Sequence, residues 1–160
     1  MGEGVQGFTE AFKSRVVLPF NGSYNDYRHT LHHELTHAIF HYFLFGGKIQ
    51  NIVNTRRLID LPLWFEEGLP EFVTTYWDTE ADMVMRDAEI YGYLPPMEYL
   101  NGYFAYKGGQ SVYQFINEKY GEEKIGELLR SVKSAASINH VFKKVFGLEM
   151  EEFSKQWSKW

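Results

Sequence analysis

The chain has 160 residues, 44% of them hydrophobic and 18% aromatic, with no cysteine and a formal charge of −5. That composition excludes a disordered chain, a disulfide scaffold and a thiolate metal site. The acidic balance, without a long basic block, argues against nucleic acid as a partner. No apolar run reaches the length of a membrane-spanning helix, and the first residues do not resemble a signal peptide. The length suits one domain over residues 1–160, either a mature form or a fragment of a longer protein with further domains.

In chain order, "GFTEAF" (7–12) reads as a weak strand or a loop. "RVVLPF" (15–20), β-branched and bounded by "NGS", reads as a strand. Asn25 or Asp26 can cap a helix that runs to about Phe45, with Gly46 and Gly47 as its stop. Residues 48–61 are mixed and read as a connection. "PLWFEEGLPEFVTTYW" looks helical from Pro62, but Pro70 interrupts it, so the chain should turn irregular or begin its helix near Glu67. Thr79 with Asp82 resembles a capping box for a helix through about Tyr91. "YLPPMEYLNGY" is loop. Residues 105–120 form an apolar-periodic helix ending at Gly121, and shorter helices follow near 122–133, 137–146 and 149–159. The pattern predicts an α+β fold, predominantly helical, with a small N-terminal sheet packed on helix 27–45 and a helical C-terminal part.

Within that first long helix, "RHTLHHELTHAIFHYFLFGG" (28–47) places five histidines and one glutamate in an apolar run. His33-Glu34-Leu35-Thr36-His37 is H-E-x-x-H. Four residues advance a helix by about 400° and 6 Å, so both imidazoles can reach one zinc ion. Glu34 sits about 100° round from His33, on the flank, where it can take a proton from water at the metal. Leu31, Leu35, Ala38, Ile39 and Tyr42 supply the apolar face that a core helix needs. His29 and His41 continue the stripe but lie a further turn along the axis, and read as packing or supporting groups. His32 reads as surface or core, and His140 carries no role. A third ligand is needed, and "LPLWFEEGLPEF" (61–72) offers three carboxylates, Glu66, Glu67 and Glu71, among bulky apolar side chains. A buried carboxylate needs a partner, and a metal with its histidines is one.

"HELTH" followed by "LWFEEGLPEF" resembles the gluzincin zinc metallopeptidases, in particular aminopeptidase N-like and thermolysin-like catalytic domains. The resemblance implies a zincin-like fold and Zn²⁺ held by His33, His37 and Glu67, the glutamate immediately before the glycine. It implies that Glu71, one turn later, accepts a hydrogen bond from the far nitrogen of His33, and that Glu66 is turned outward. "AYKGGQSV" (105–112) is similar to the aminopeptidase Y-x-x-G stretch, which implies that Tyr106 stabilises the tetrahedral intermediate. "VFGLEMEEFSKQWSKW" is similar to the closing helices of compact peptidase-MA-like domains. The implied activity is hydrolysis of peptide bonds in peptides or unfolded protein, with Glu34 as base and the substrate added to the edge of strand 15–20. Export, periplasmic or extracellular, is implied by the same analogy alone. Three departures stand against this. His37 and Glu67 are separated by 29 residues, a longer connection than the aminopeptidase and thermolysin patterns have. Pro70 is unusual in that helix, and the G-x-M-E-N segment that holds a substrate's free amine is missing. A zinc-stabilised binding or scaffolding module without peptidase activity is the alternative.

Overall fold

The computed structural model describes residues 7–10, 15–46 and 61–160. Phe8–Glu10 (β1) and Arg15–Val17 (β2) pair antiparallel, with Thr9 opposite Val16. This two-stranded ribbon is the only sheet among the described residues. Seven α-helices and one 3-10 turn (Met97–Tyr99, within the stretch expected as loop) make up the remaining regular structure among the described residues, so the expected α+β class is corrected to all-helical. The reason is visible in β2. Pro19 has no N–H to extend a ladder, and the strand ends at Val17 instead of Phe20. Phe8 and Val17 are exposed, so the ribbon is a flap on the surface and not a layer of the core. The connection expected over 48–61 lies, apart from Leu61, outside the described residues.

Helix α1 (Tyr24–Phe45) begins three residues before the expected start at 27, because Ser23 accepts the N–H of Asp26 and takes the cap. It stops at Gly46, whose φ of 62° is left-handed. Its inward stripe is His33, Glu34, His37, Phe40, Leu44 and Phe45. Leu35, Ile39 and Tyr42, expected to face the core, are exposed.

Helix α2 (Leu63–Thr75) runs straight through Pro70. The expected break near Glu67 is absent, although Pro70 gives no N–H to the helical ladder. Tertiary packing offsets that loss: Trp64, Phe65, Leu69 and Phe72 are all buried, and the Tyr113 hydroxyl donates to the Phe65 carbonyl at 3.1 Å. Tyr113 belongs to α4 (Tyr103–Tyr120). These two helices cross backbone to backbone. A Cβ on Gly109 would stand 2.4 Å from the Trp64 carbonyl oxygen, and one on Gly68 would stand 2.4 Å from the Gly109 carbonyl carbon. Only glycine permits that approach.

Between them, α3 (Thr79–Ile90) is capped by Asp78, which accepts from the Ala81 N–H at 2.7 Å. Helices α5 (Glu122–Val132), α6 (Ile138–Phe146) and α7 (Met150–Trp157) close the far side around Phe115, Phe142 and Phe153. Trp157 donates its indole N–H to Ser111 on α4 at 3.0 Å. None of the described helices is long and apolar enough to cross a membrane.

Candidate metal centre

Helix α1 presents His33 and His37 to α2, which presents Glu67 and Glu71 in return. The Nε2 atoms of the two histidines lie 3.2 Å apart. Glu67 Oε2 is 3.2 Å from His37 Nε2 and 3.4 Å from His33 Nε2. Three donors bound to a tetrahedral zinc ion at its usual bond lengths stand about 3.3 Å from one another. The triangle therefore has the dimensions of one face of a tetrahedral metal site, and two histidines with one carboxylate are among the ligand sets that zinc takes.

The tautomer supports the same reading. Glu71 Oε1 lies 2.9 Å from His33 Nδ1. An ionised carboxylate only accepts, so Nδ1 carries the hydrogen and Nε2 of the neutral ring keeps its lone pair. That lone pair points into the triangle, where a second imidazole nitrogen and a carboxylate oxygen converge. Such a set repels itself unless a proton or a metal cation lies within it. In the metal-free protein a proton serves. Burial opposes a charge on His33, but hydrogen bonds to Glu67 and Glu71 outweigh it and raise its pKa to about 9. Burial pushes Glu67 up, and hydrogen bonds to His33 and His37 more than reverse this, to about 2. Glu71 is held well below the carboxylate range, its burial overcome by His29, His33 and Lys107.

Glu34 is buried and lines the same cavity of about 340 Å³ as His33, His37, Glu67 and Tyr106. Gly7 and Phe8 form another wall. Among the described residues, Phe8 of β1 borders the cavity and none of 15–20 does. Glu66, expected to turn outward, also lines the cavity. The Tyr106 ring stacks on His33, with centroids 6.0 Å apart. Burial, the Glu67 charge and a hydrogen bond to Glu67 push its pKa to about 12, so the hydroxyl stays a donor at neutral pH. Tyr103, its neighbour one turn away, is 53% exposed and donates to Glu80 at 2.8 Å, away from the triangle. The position of Tyr106 follows from the glycine crossing: it lies one turn before Gly109, which abuts Gly68, which follows Glu67.

No family model, no curated protein and no solved structure matches the chain. The chemistry rests on the residues themselves.

His29, His33 and Glu71 form a second group with metal-ligand spacing. Hydrogen bonding accounts for it. Glu71 Oε1 accepts from His33 and stands 3.4 Å from His29 Nε2, while Oε2 accepts from Lys107 at 2.9 Å. His41 lines the cavity next to His37, and His32 and His140 are exposed. Sequence reasoning passed over Lys107, which is only 5% exposed. The signal for it is a lysine inside "AYKGGQSV", directly before the glycine pair Gly108–Gly109.

Proposed function

We propose that the protein is a zinc-dependent hydrolase of peptide bonds, with zinc held by His33, His37 and Glu67. The observation that carries this is the donor triangle of zinc dimensions with Glu34 and Tyr106 on the walls of one cavity. The ion would supply Lewis acidity and lower the pKa of water. Glu34 would accept the proton of the attacking water and return it to the leaving amine. Tyr106, a hydroxyl that stays protonated, would donate to the oxyanion that develops on the scissile carbonyl. Glu71 would hold His33 by its far nitrogen, fixing ring and tautomer. A peptide is favoured as substrate because β1 borders the cavity, and an extended chain can use main-chain hydrogen bonds there.

The test is zinc content and cleavage measured on the same samples. Wild-type protein should hold close to one zinc per chain and cut unfolded protein or long peptides. Glu67→Ala should lose the zinc. Glu34→Gln should keep it and lose cleavage by about 10²-fold or more, because an amide cannot accept the proton. Full zinc in the wild type with no cleavage across a broad peptide library would favour a zinc-stabilised binding module instead.

A further inference from the structure

We propose that Lys107 is a positioning residue of the metal centre, acting on His33 through Glu71. The inference rests on the zinc reading of His33, His37 and Glu67. It assigns a task to the one buried lysine among the described residues.

The geometry is a relay of three groups from three helices. Lys107 Nζ on α4 lies 2.9 Å from Glu71 Oε2, and Glu71 Oε1 on α2 lies 2.9 Å from His33 Nδ1 on α1. A glutamate's terminal torsion is soft, so a carboxylate held at one oxygen still turns. Held at both, it offers one lone pair in a fixed direction. Here that direction is toward the histidine whose other nitrogen faces Glu67 and His37. Ring orientation at a metal is set by such outer partners, and Lys107 stands one partner further out.

Packing alone does not explain the residue. A buried ammonium carries a desolvation penalty that an apolar side chain of similar length would avoid. Lys107 is retained among three carboxylates: Glu71 in contact, Glu80 at 3.6 Å and Asp78 at 3.9 Å, with the Tyr103 hydroxyl donating to Glu80. Glu80 is 60% exposed and Asp78 is 28% exposed, whereas Glu71 is 7% exposed at its side chain. The strong, dry contact is the one toward His33. Lys107 also follows Tyr106 directly, so one turn of α4 brings both the hydroxyl to the cavity and the ammonium to the carboxylate behind it. The Gly68–Gly109 crossing sets the depth of both.

A double-mutant cycle separates this from a structural role. Zinc affinity is measured by chelator competition on the wild type, Lys107→Met, Glu71→Leu and the double variant, with the visible spectrum of the cobalt-substituted proteins as a second readout. Lys107→Met should weaken zinc binding by about 10-fold and Glu71→Leu by about 10- to 100-fold, the usual range for outer partners. The double variant should bind no more weakly than Glu71→Leu, because Lys107 has nothing left to act through. Lys107→Met should alter the cobalt spectrum in the presence of Glu71 and leave it unchanged in Glu71→Leu. Losses that multiply, or a cobalt spectrum unmoved by Lys107→Met, would overturn the proposal while leaving the zinc site standing. If Lys107→Met does not fold, the comparison of Glu71→Leu with the double variant decides, since neither buried charge remains in it; a further loss there overturns the proposal. Wild-type protein without stoichiometric zinc overturns the metal reading itself.

Discussion

Gly109→Ala should destabilise the protein, and Gly126→Ala should stabilise it, although both replace a helical glycine. At Gly109 the new methyl would meet the Trp64 carbonyl oxygen at 2.4 Å and the Gly68 Cα at 2.7 Å, both backbone atoms that cannot rotate away. Ordinary contact begins near 3.4 Å, so α2 and α4 must part by about 1 Å. Overpacking of that kind costs about 1–3 kcal/mol. The gain from replacing glycine inside a helix returns only about 0.5–1 kcal/mol. The balance runs from about zero to a loss of about 2.5 kcal/mol, centred near 1 kcal/mol, which is about 2–4 °C in melting temperature for a chain of this size. At Gly126 in α5 the methyl meets only the Arg130 guanidinium, at 3.1 Å, the end of a flexible side chain. There the helical gain of about 0.5–1 kcal/mol should survive. Urea titrations of the metal-free proteins, followed by far-ultraviolet circular dichroism, measure both changes. If Gly109→Ala is as stable as Gly126→Ala, the two helices do not touch through their backbones and the placement of Tyr106 loses its basis.

Tyr106→Phe should keep stoichiometric zinc and the melting temperature, with affinity weakened by no more than about 10-fold through the lost hydrogen bond to Glu67, while lowering kcat by about 10²- to 10³-fold, as loss of one oxyanion donor does. Tyr103→Phe should leave kcat unchanged, since that hydroxyl is spent on Glu80. The reverse outcome would pass the role to Tyr103. Zinc affinity should climb with pH, about tenfold per unit between pH 7 and 9, because the metal displaces the proton that His33 holds up to about 9. The sign for folding follows from the same shift. A raised histidine pKa stabilises the metal-free protein fully below about 6.5 and loses that contribution as pH rises through 9. Isothermal calorimetry in buffers of different ionisation heat counts the released proton, and a flat pH profile would contradict the triangle.

What could be read in the sequence was local. The spacing of His33 and His37 fixes their common face on any helix, and Glu67 and Glu71 share a turn in the same way. The caps at Gly46 and Gly121 and the ends of the last three helices are also set by neighbours in the chain. The failures came where distant contacts decide. Pro70 should break a helix by local rules, and the buried aromatic residues around it hold the helix through it. The sheet reading rests on the β-branched run 15–20 with 7–12 as a weak second strand; the two do pair, but Pro19 leaves only three residues of the run in the ladder. Apolar counting chose Leu35, Ile39 and Tyr42 as the inner face of α1, because it scores histidine and glutamate as outward. Lys107 and Glu71 are 36 residues apart, and nothing in either local stretch announces the other.

The inverted face of α1 has its own consequence. Its C-terminal half is anchored as core helices usually are, by Phe40, Leu44 and Phe45. The inner face of its middle holds His33, Glu34 and His37, which gain nothing from leaving water unless a cation or proton meets them. With zinc bound as proposed, the ion would take the place of an oil-like interior for that stretch of the helix. Metal capture and the ordering of that stretch would then be one event, and a chelator would act as a denaturant confined to it.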